Sequence, residues 1–300
     1  MSRPARGFGT TDALLLLTTL IWGINYTSVK YAGLQLSALT FTWLRVLLAM
    51  ATLLLVAVAQ RQPWPPARDV IALLGLGVLG NGIYQLLFVG GVARTRVADA
   101  ALLAAILPAL VALLAFVRGV EKIHLAAGAG IALSILGAAV VVLGSTQIDA
   151  GNGTLLGIAM VLAAVLCWGA FTVGLRPYTL RVDTVQINAL TMAGGMIPLV
   201  FFTPAALRGT AWGALPPMVW VAVAFSSVIS MGLAYLFWFR GVRELGPTRT
   251  AVYANLQPVA AILFAWVALH EVPTAWQGLG AAMIIAGILM TRTHRVPDTA

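Results

Sequence analysis

The stretch Ala98–Gly137, ADAALLAAILPALVALLAFVRGVEKIHLAAGAGIALSILG, is written a second time at Thr248–Gly287, TRTAVYANLQPVAAILFAWVALHEVPTAWQGLGAAMIIAG. An offset of 150 lays Pro108 on Pro258, Glu121 on Glu271, and Gly128, Gly130 and Gly137 on Gly278, Gly280 and Gly287. Coincidences of Ala and Leu carry little weight in a chain rich in both. A Pro and one of only 9 acidic residues coinciding at one offset carry more. An offset of 146 lays Trp22-Gly23 on Trp168-Gly169, so the second copy holds four extra residues between these points. Repetition of this kind marks a chain made of two copies of one unit, here 1–147 and 148–300, joined near Gly144–Thr154.

Hydrophobic residues make up 61% of the 300 and charged residues only 9%, with a mean hydropathy of +0.97. Soluble domains carry about 25% charged residues, so most of this chain does not face water. An all-α integral membrane protein is expected, because lipid offers backbone groups no partners and spans must be helical. The net charge of +9 is then a matter of loop placement. Without a long Lys/Arg cluster or aromatic–basic interleaving, nucleic acid is not an expected partner. The expected partners are a small-molecule substrate and membrane lipid, with the chain a monomer or weak dimer. The lone Cys167, inside an apolar run, offers neither a disulfide framework nor a Cys-based metal site, and no cofactor is expected. Arg3 and Arg6 before an apolar run look superficially like a signal peptide. The run holds Trp22, Asn25 and Lys30 and lacks a small-x-small cleavage site, which reads as an uncleaved first span.

Ten apolar segments can be drawn: 10–30, 37–59, 69–92, 97–118, 122–144, 154–175, 184–205, 213–240, 248–269 and 273–292. Each can cross roughly 30 Å of hydrocarbon as a helix. With the N-terminus inside and strict alternation, only Lys30, Arg94, Arg96 and Arg208 of the 18 Lys and Arg fall outside. Arg45 lies within the second segment, and the remaining thirteen fall inside. That asymmetry is the positive-inside rule. It places both termini in the cytoplasm of a bacterial inner-membrane protein. Five spans per half make the two halves inverted, an arrangement whose binding site lies at the midplane and is exposed by rocking to either side in turn. Trp64, Trp212 and Trp276 at segment ends are expected interfacial anchors.

The third segment places Asn81, Tyr84, Gln85 and Phe88 at i, i+3, i+4 and i+7, on one helical face. Its repeat mate places Met231, Ala234, Tyr235 and Trp238 likewise. Trp22, Asn25 and Tyr26 stack along the first segment, Trp168 lies mid-way along the sixth, and Thr250, Tyr253, Asn255 and Gln257 fall on the ninth. Amides and phenols at this depth must face protein or a wet cavity. They line an amphipathic cavity, with rings for flat apolar solutes and amides for polar ends. Otherwise each is an interhelical hydrogen bond or ring contact worth about 0.6 kcal/mol. Recurrence in both halves favours the cavity. Pro108 and Pro258 interrupt the fourth and ninth segments, and paired interruptions point to a transporter's site; a packing kink is the alternative. Arg45, eight residues into the second helix, is read as snorkelling or capping carbonyls in preference to contacting a substrate carboxylate. Glu121 and Glu271 are read as caps on the fifth and tenth helices.

Other matches lead nowhere. Gly75-Leu-Gly77-Val-Leu-Gly80 spells a dinucleotide fingerprint, but inside an apolar span it reads as close helix packing. The sequons at Asn25 and Asn152 carry no functional weight. There is no GK[ST] for a phosphate loop, His124, His270 and His294 are scattered, and no nucleophile–base arrangement emerges, so the chain is not read as an enzyme. All nine acids fall at segment ends or in loops. A proton-driven exporter of lipophilic cations needs a membrane carboxylate, for which only Asp12 and Asp99 come near. Neutral or zwitterionic substrates, with uncoupled exchange or facilitation, fit better.

Trp22-Gly23 with Asn25, the Thr-Trp-Leu-Arg45 run, Ala100–Pro108 leading to Glu121, Tyr253-Ala-Asn255-Leu-Gln257-Pro258, Glu271 and the Gly278–Gly287 tail together resemble the EamA-type carriers of the drug/metabolite transporter superfamily. The resemblance covers nearly the whole chain. It implies a basket of ten helices in two inverted five-helix repeats. Spans one, three, four, six, eight and nine would form the pathway, with five and ten paired outside it. The aromatic faces resemble those of the YddG-like exporters of aromatic amino acids. Thr191 stands where a second Arg45 would be expected, so that Arg is not a symmetric gate element. The function expected is export of small amphipathic metabolites, aromatic or neutral amino acids foremost, by alternating access. Trp22, Tyr84, Trp168, Tyr235, Trp238 and Tyr253 would supply rings; Asn25, Asn81, Gln85, Asn255 and Gln257 would supply polar grips. Carriers of drugs, nucleosides or phosphorylated sugars, an integral-membrane lipid enzyme and a pore are the rivals.

Overall fold

A computed structural model describes residues 9–117, 125–148 and 152–293. Among these the chain is helical throughout, with no strand. Helical stretches follow the ten apolar segments in order. They are α1 (Thr10–Gly33), α2 (Ala38–Ala59), α3 (Ala67–Arg94), α4 (Val97–Ala104 and Leu107–Val117), α5 (Leu125–Ile148), α6 (Asn152–Thr179), α7 (Thr184–Phe202), α8 (Pro217–Leu245), α9 (Pro247–Leu269) and α10 (Ala275–Thr293). A single helical turn, Pro204–Arg208, lies between α7 and α8.

Seven of these, α2, α3, α4, α6, α7, α8 and α9, are long and apolar enough to cross a membrane. In α5 and α10 the apolar stretches are shorter, Gly128–Gly144 and Ala275–Gly287. α1 carries Thr18, Thr19 and Asn25, and all three are buried in the bundle. Its lower hydropathy thus reflects polar groups turned to protein, while Leu55, Phe201 and Val267 are exposed on the outside of the bundle. The pattern inverts that of a water-soluble protein.

Local signals set the helix ends. Ser37 and Asp183 cap α2 and α7, accepting from the Thr40 and Val185 amides at 3.1 and 2.9 Å. Thr274 and Gln277 form a reciprocal capping box at the start of α10. Gly246, at φ +85°, ends α8 in a conformation that a side chain would strain, and Pro247 at once begins α9. Pro108 and Pro258 each sit in the first turn of a restarted helix, after a turn at 105–106 and a 3-10 turn at Ala254–Leu256. The interruption therefore lies just before the Pro, where its ring would otherwise clash with the preceding turn. Glu271 does not cap α10. Its carboxylate accepts the Val97 amide at 2.8 Å, at the start of α4. Glu121 lies outside the described residues.

Exchanging helix n for helix n+5 carries the packing onto itself. α5 lies along α10 and α2 against α7; the second half of α3 meets α6 as that of α8 meets α1. The exchange reaches single atoms. Lys30 caps carbonyls at the end of α3 (Val92, Ala93, Thr95), and Arg176, its mate at offset 146, caps those at the end of α8 (Val242, Arg243). A Cβ added at Gly137 would lie 2.8 Å from the Gly280 carbonyl oxygen, and one at Gly287 2.4 Å from that of Gly130. The small residues of the repeat are what let α5 and α10 touch. Arg181, between α6 and α7, donates two 2.8 Å bonds to Asp69, and that hydrogen-bonded pair raises its guanidinium above the ordinary Arg range.

Candidate substrate cavity

Where the interrupted helices meet, a cavity opens in the middle of the bundle. Its wall takes Trp22, Asn25 and Tyr26 from α1, Arg45 from α2, Tyr84, Gln85 and Phe88 from α3, and Trp168 from α6. Ser230 and Tyr235 come from α8, and the breaks contribute Ala104 and Leu107 of α4 and Ala254 and Gln257 of α9. Repeat mates face one another across it. Gln85 donates to the Tyr235 hydroxyl at 2.9 Å, 150 positions apart. Trp22 meets its mate Trp168 edge to face at 5.6 Å. Tyr84 lies 5.0 Å from Trp168, which lies 5.0 Å from Tyr235; Tyr26 lies 5.0 Å from Phe88. These edge-on and tilted contacts suit ring quadrupoles. The space open to water-sized molecules is about 50 Å³, room for a few waters but not for an amino acid unless the walls part.

A π-helical stretch in α3, Val78–Ile83, and another in α8, Phe225–Leu233, end at positions 150 apart. A π turn bonds i to i+5, so it adds a residue and leaves carbonyls without helical partners. Side chains from other helices take them up. The Trp22 indole donates to the Ser230 carbonyl at 3.1 Å, and the Asn188 amide to those of Met231 and Gly232 at 3.0 and 3.1 Å. Asn25 is fixed by a bond accepted from Ser226.

Of the residues expected at the site, Trp22, Asn25, Tyr26, Tyr84, Gln85, Trp168, Tyr235 and Gln257 line the cavity and four do not. Asn81, within the π stretch, is turned onto α7, its Cβ 2.6 Å from where a Cβ of Gly195 would stand. Trp238 is wholly buried behind the wall, 5.0 Å from Trp22. Tyr253 donates to Asp12 at the end of the bundle, and Asn255, in the middle of the 3-10 turn that breaks α9, is not part of the wall. Pro108 and Pro258 adjoin the cavity without lining it. Phe88, Ser230 and Arg45 also line it, with Val161 and Val165 of α6. Phe88 shares the helical face of Tyr84, whereas Ser230 carries no sequence signal.

Arg45 departs from its expected role. It is 1% exposed, its Cζ lies 5.4 Å from the Phe41 ring centre, and Nε and Nη1 find no hydrogen-bond partner among the described residues. It therefore neither snorkels nor caps a carbonyl. Among the described residues the wall contains no Asp or Glu. Asp12 and Asp99 are engaged elsewhere, by Tyr253 and by Gln277 at 2.7 Å. Among the described residues no three His, Cys, Asp or Glu come together as a metal site would require.

A helical bundle with an apolar exterior around a polar, ring-lined chamber is the construction of a multi-pass membrane transporter. The chain belongs to the EamA-like transporter family, whose model matches it twice, at residues 9–143 and 155–293. It is similar to the uncharacterized transporter YoaV of Bacillus subtilis, 26% identical over 92% of this chain and 94% of that one. It is also similar to a protein of Streptantibioticus cattleyicolor named "Probable terminal-alkyne amino-acid exporter", 28% identical over 92% and 91%. A crystal structure of a protein 21% identical in sequence superposes with a TM-score of 0.65 over 94% of this chain and 97% of that one, a likeness of fold.

Proposed function

We propose that the protein is a secondary carrier of the bacterial inner membrane that exports small amphipathic metabolites, aromatic and neutral amino acids foremost, by alternating access. Two five-helix repeats, 1–147 and 148–300, cross the membrane in opposite senses with both termini cytoplasmic, and their ten spans enclose the chamber. The observation that carries the reading is the meeting of Trp22, Tyr84, Trp168 and Tyr235 with Asn25, Gln85 and Gln257 in one wall. Rings offer faces to a flat side chain, and the amides hydrogen-bond its polar end. The relative named "Probable terminal-alkyne amino-acid exporter" supports an amino-acid substrate. Nucleotide sugars and phosphorylated sugars fit less well, since among the described residues a dianion would face a single cation in the wall, Arg45.

Uptake of labelled phenylalanine into proteoliposomes tests this. A ring contact is worth about 0.5–1.5 kcal/mol, or roughly 2–10-fold in affinity. Tyr84→Ala and Trp168→Ala should each weaken transport by about that factor, while Trp64→Ala, at an exposed position, should leave it unchanged. Equal flux through both cavity variants and the parent protein would refute the assignment.

A further inference from the structure

Arg45 is a full charge in the middle of the bundle with two of its nitrogens unanswered. A buried cation is costly unless an opposite charge and hydrogen bonds compensate it, and among the described residues no carboxylate lies in the wall around it. Nor does symmetry require it: its mate, Thr191, is buried and donates to the Asn188 carbonyl within its own helix. One half of a repeated fold thus carries a charge the other half lacks, placed in the chamber. We infer that Arg45 anchors a carboxylate, and that the carboxyl group, not the amine, is what a transported molecule must carry. The inference rests on the central cavity being the substrate site.

A planar guanidinium with free donors matches a carboxylate in shape and charge. A monoanion neutralises the chamber; a dianion would leave it with a buried negative charge. The amine is secondary. Gln85 spends its Nε2 on Tyr235 and keeps Oε1 buried without a partner, so an ammonium finds a neutral acceptor and ring faces but no counter-charge. The substrate class is therefore monocarboxylates with an apolar body, α-amino acids among them.

The test is thermal unfolding of the purified full-length protein at neutral pH with matched probes: phenylalanine, 3-phenylpropionate, phenylalaninamide and phenethylamine, then leucine and leucinamide. The two aromatic acids should raise the melting temperature, and the amide and amine should not. Arg45→Gln should weaken binding of the acids at least tenfold. Its unliganded melting temperature should not fall, because the substitution removes an uncompensated charge; a structural Arg would show the opposite. Arg45→Lys should keep the preference for acids at lower affinity. Amide or amine binding as tightly as acid overturns the anchor and leaves the exporter reading standing. So does undiminished phenylalanine binding by Arg45→Gln. A response to leucine but not to the aromatic acids would keep the anchor and remove the aromatic preference. No response to any acid would overturn the anchor.

Discussion

An added Cβ at Gly77 would stand 2.1 Å from the Thr191 carbonyl oxygen, and one at Gly194 equally close to that of Leu74. Here α3 and α7 meet backbone to backbone, a contact only glycine permits. Two residues earlier, Gly75 has nothing within 4 Å of its would-be Cβ. The three glycines of the apparent dinucleotide motif thus do different things. Gly75 is free, Gly77 is a helix contact, and Gly80 packs on Phe171. Gly77→Ala should destabilise the protein by about 1–3 kcal/mol, the usual cost of overpacking a core, and lower its melting temperature measurably. Gly75→Ala should cost nothing, since Ala is the better helix former. Equal melting temperatures for the two variants would contradict the close packing of α3 on α7.

At the scale of elements, the site depends on the two π stretches. Removing one residue from Val78–Ile83, such as Leu79, takes out the residue that the wider turn accommodates, so α3 closes to an ordinary α-helix with Tyr84, Gln85 and Phe88 still facing the cavity. Inserting one Ala there instead turns Tyr84, Gln85 and Phe88 by about 100° relative to Ala67–Gly77, the angle of one residue in 3.6 per turn. Either the cavity face or the Gly77 contact must then be lost. The insertion should reduce substrate binding at least tenfold, whereas an Ala inserted beside Gly213, exposed in the α7–α8 connection, should be tolerated. Ligand-induced thermal stabilisation measures both. The same stretch marks where the sequence stops being legible. The repeat offset, the interruptions at Pro108 and Pro258, and the faces of Trp22 and Tyr84 follow from spacing alone. VLGNGI at 78–83 carries no mark of a wider turn, so α-helical periodicity puts Asn81 on the cavity face when it lies on α7. Arg45 and Glu271 escape for another reason. What decides their roles is a partner distant in the chain, or the lack of one: Glu271 bonds an amide 174 positions away, and Arg45 has only the chamber.

For the whole molecule, polar fastenings gather at two ends. At one, Thr11 donates to Glu244 at 2.6 Å, Arg240 pairs with Glu244 at 2.9 Å, and Tyr253 bonds Asp12. At the other, Glu271 accepts the Val97 amide, and Lys30 takes up carbonyls at the end of α3. In each set some bonds join helices of opposite repeats, Thr11–Glu244 and Tyr253–Asp12 at one end and Val97–Glu271 at the other, as a gate between two rocking halves would. The chamber between them holds only about 50 Å³, so solute can enter only after one set yields. With Cys167→Ala as background, paired cysteines at Thr11 and Glu244, or at Val97 and Glu271, bridged by a short, reducible bifunctional thiol reagent, would hold one end shut. On an alternating-access cycle either bridge alone should abolish counterflow of labelled substrate in proteoliposomes, and reduction should restore it. Counterflow that continued with one end bridged would mean that solute does not pass between the repeats, and the two-gate account of this fold would have to be given up.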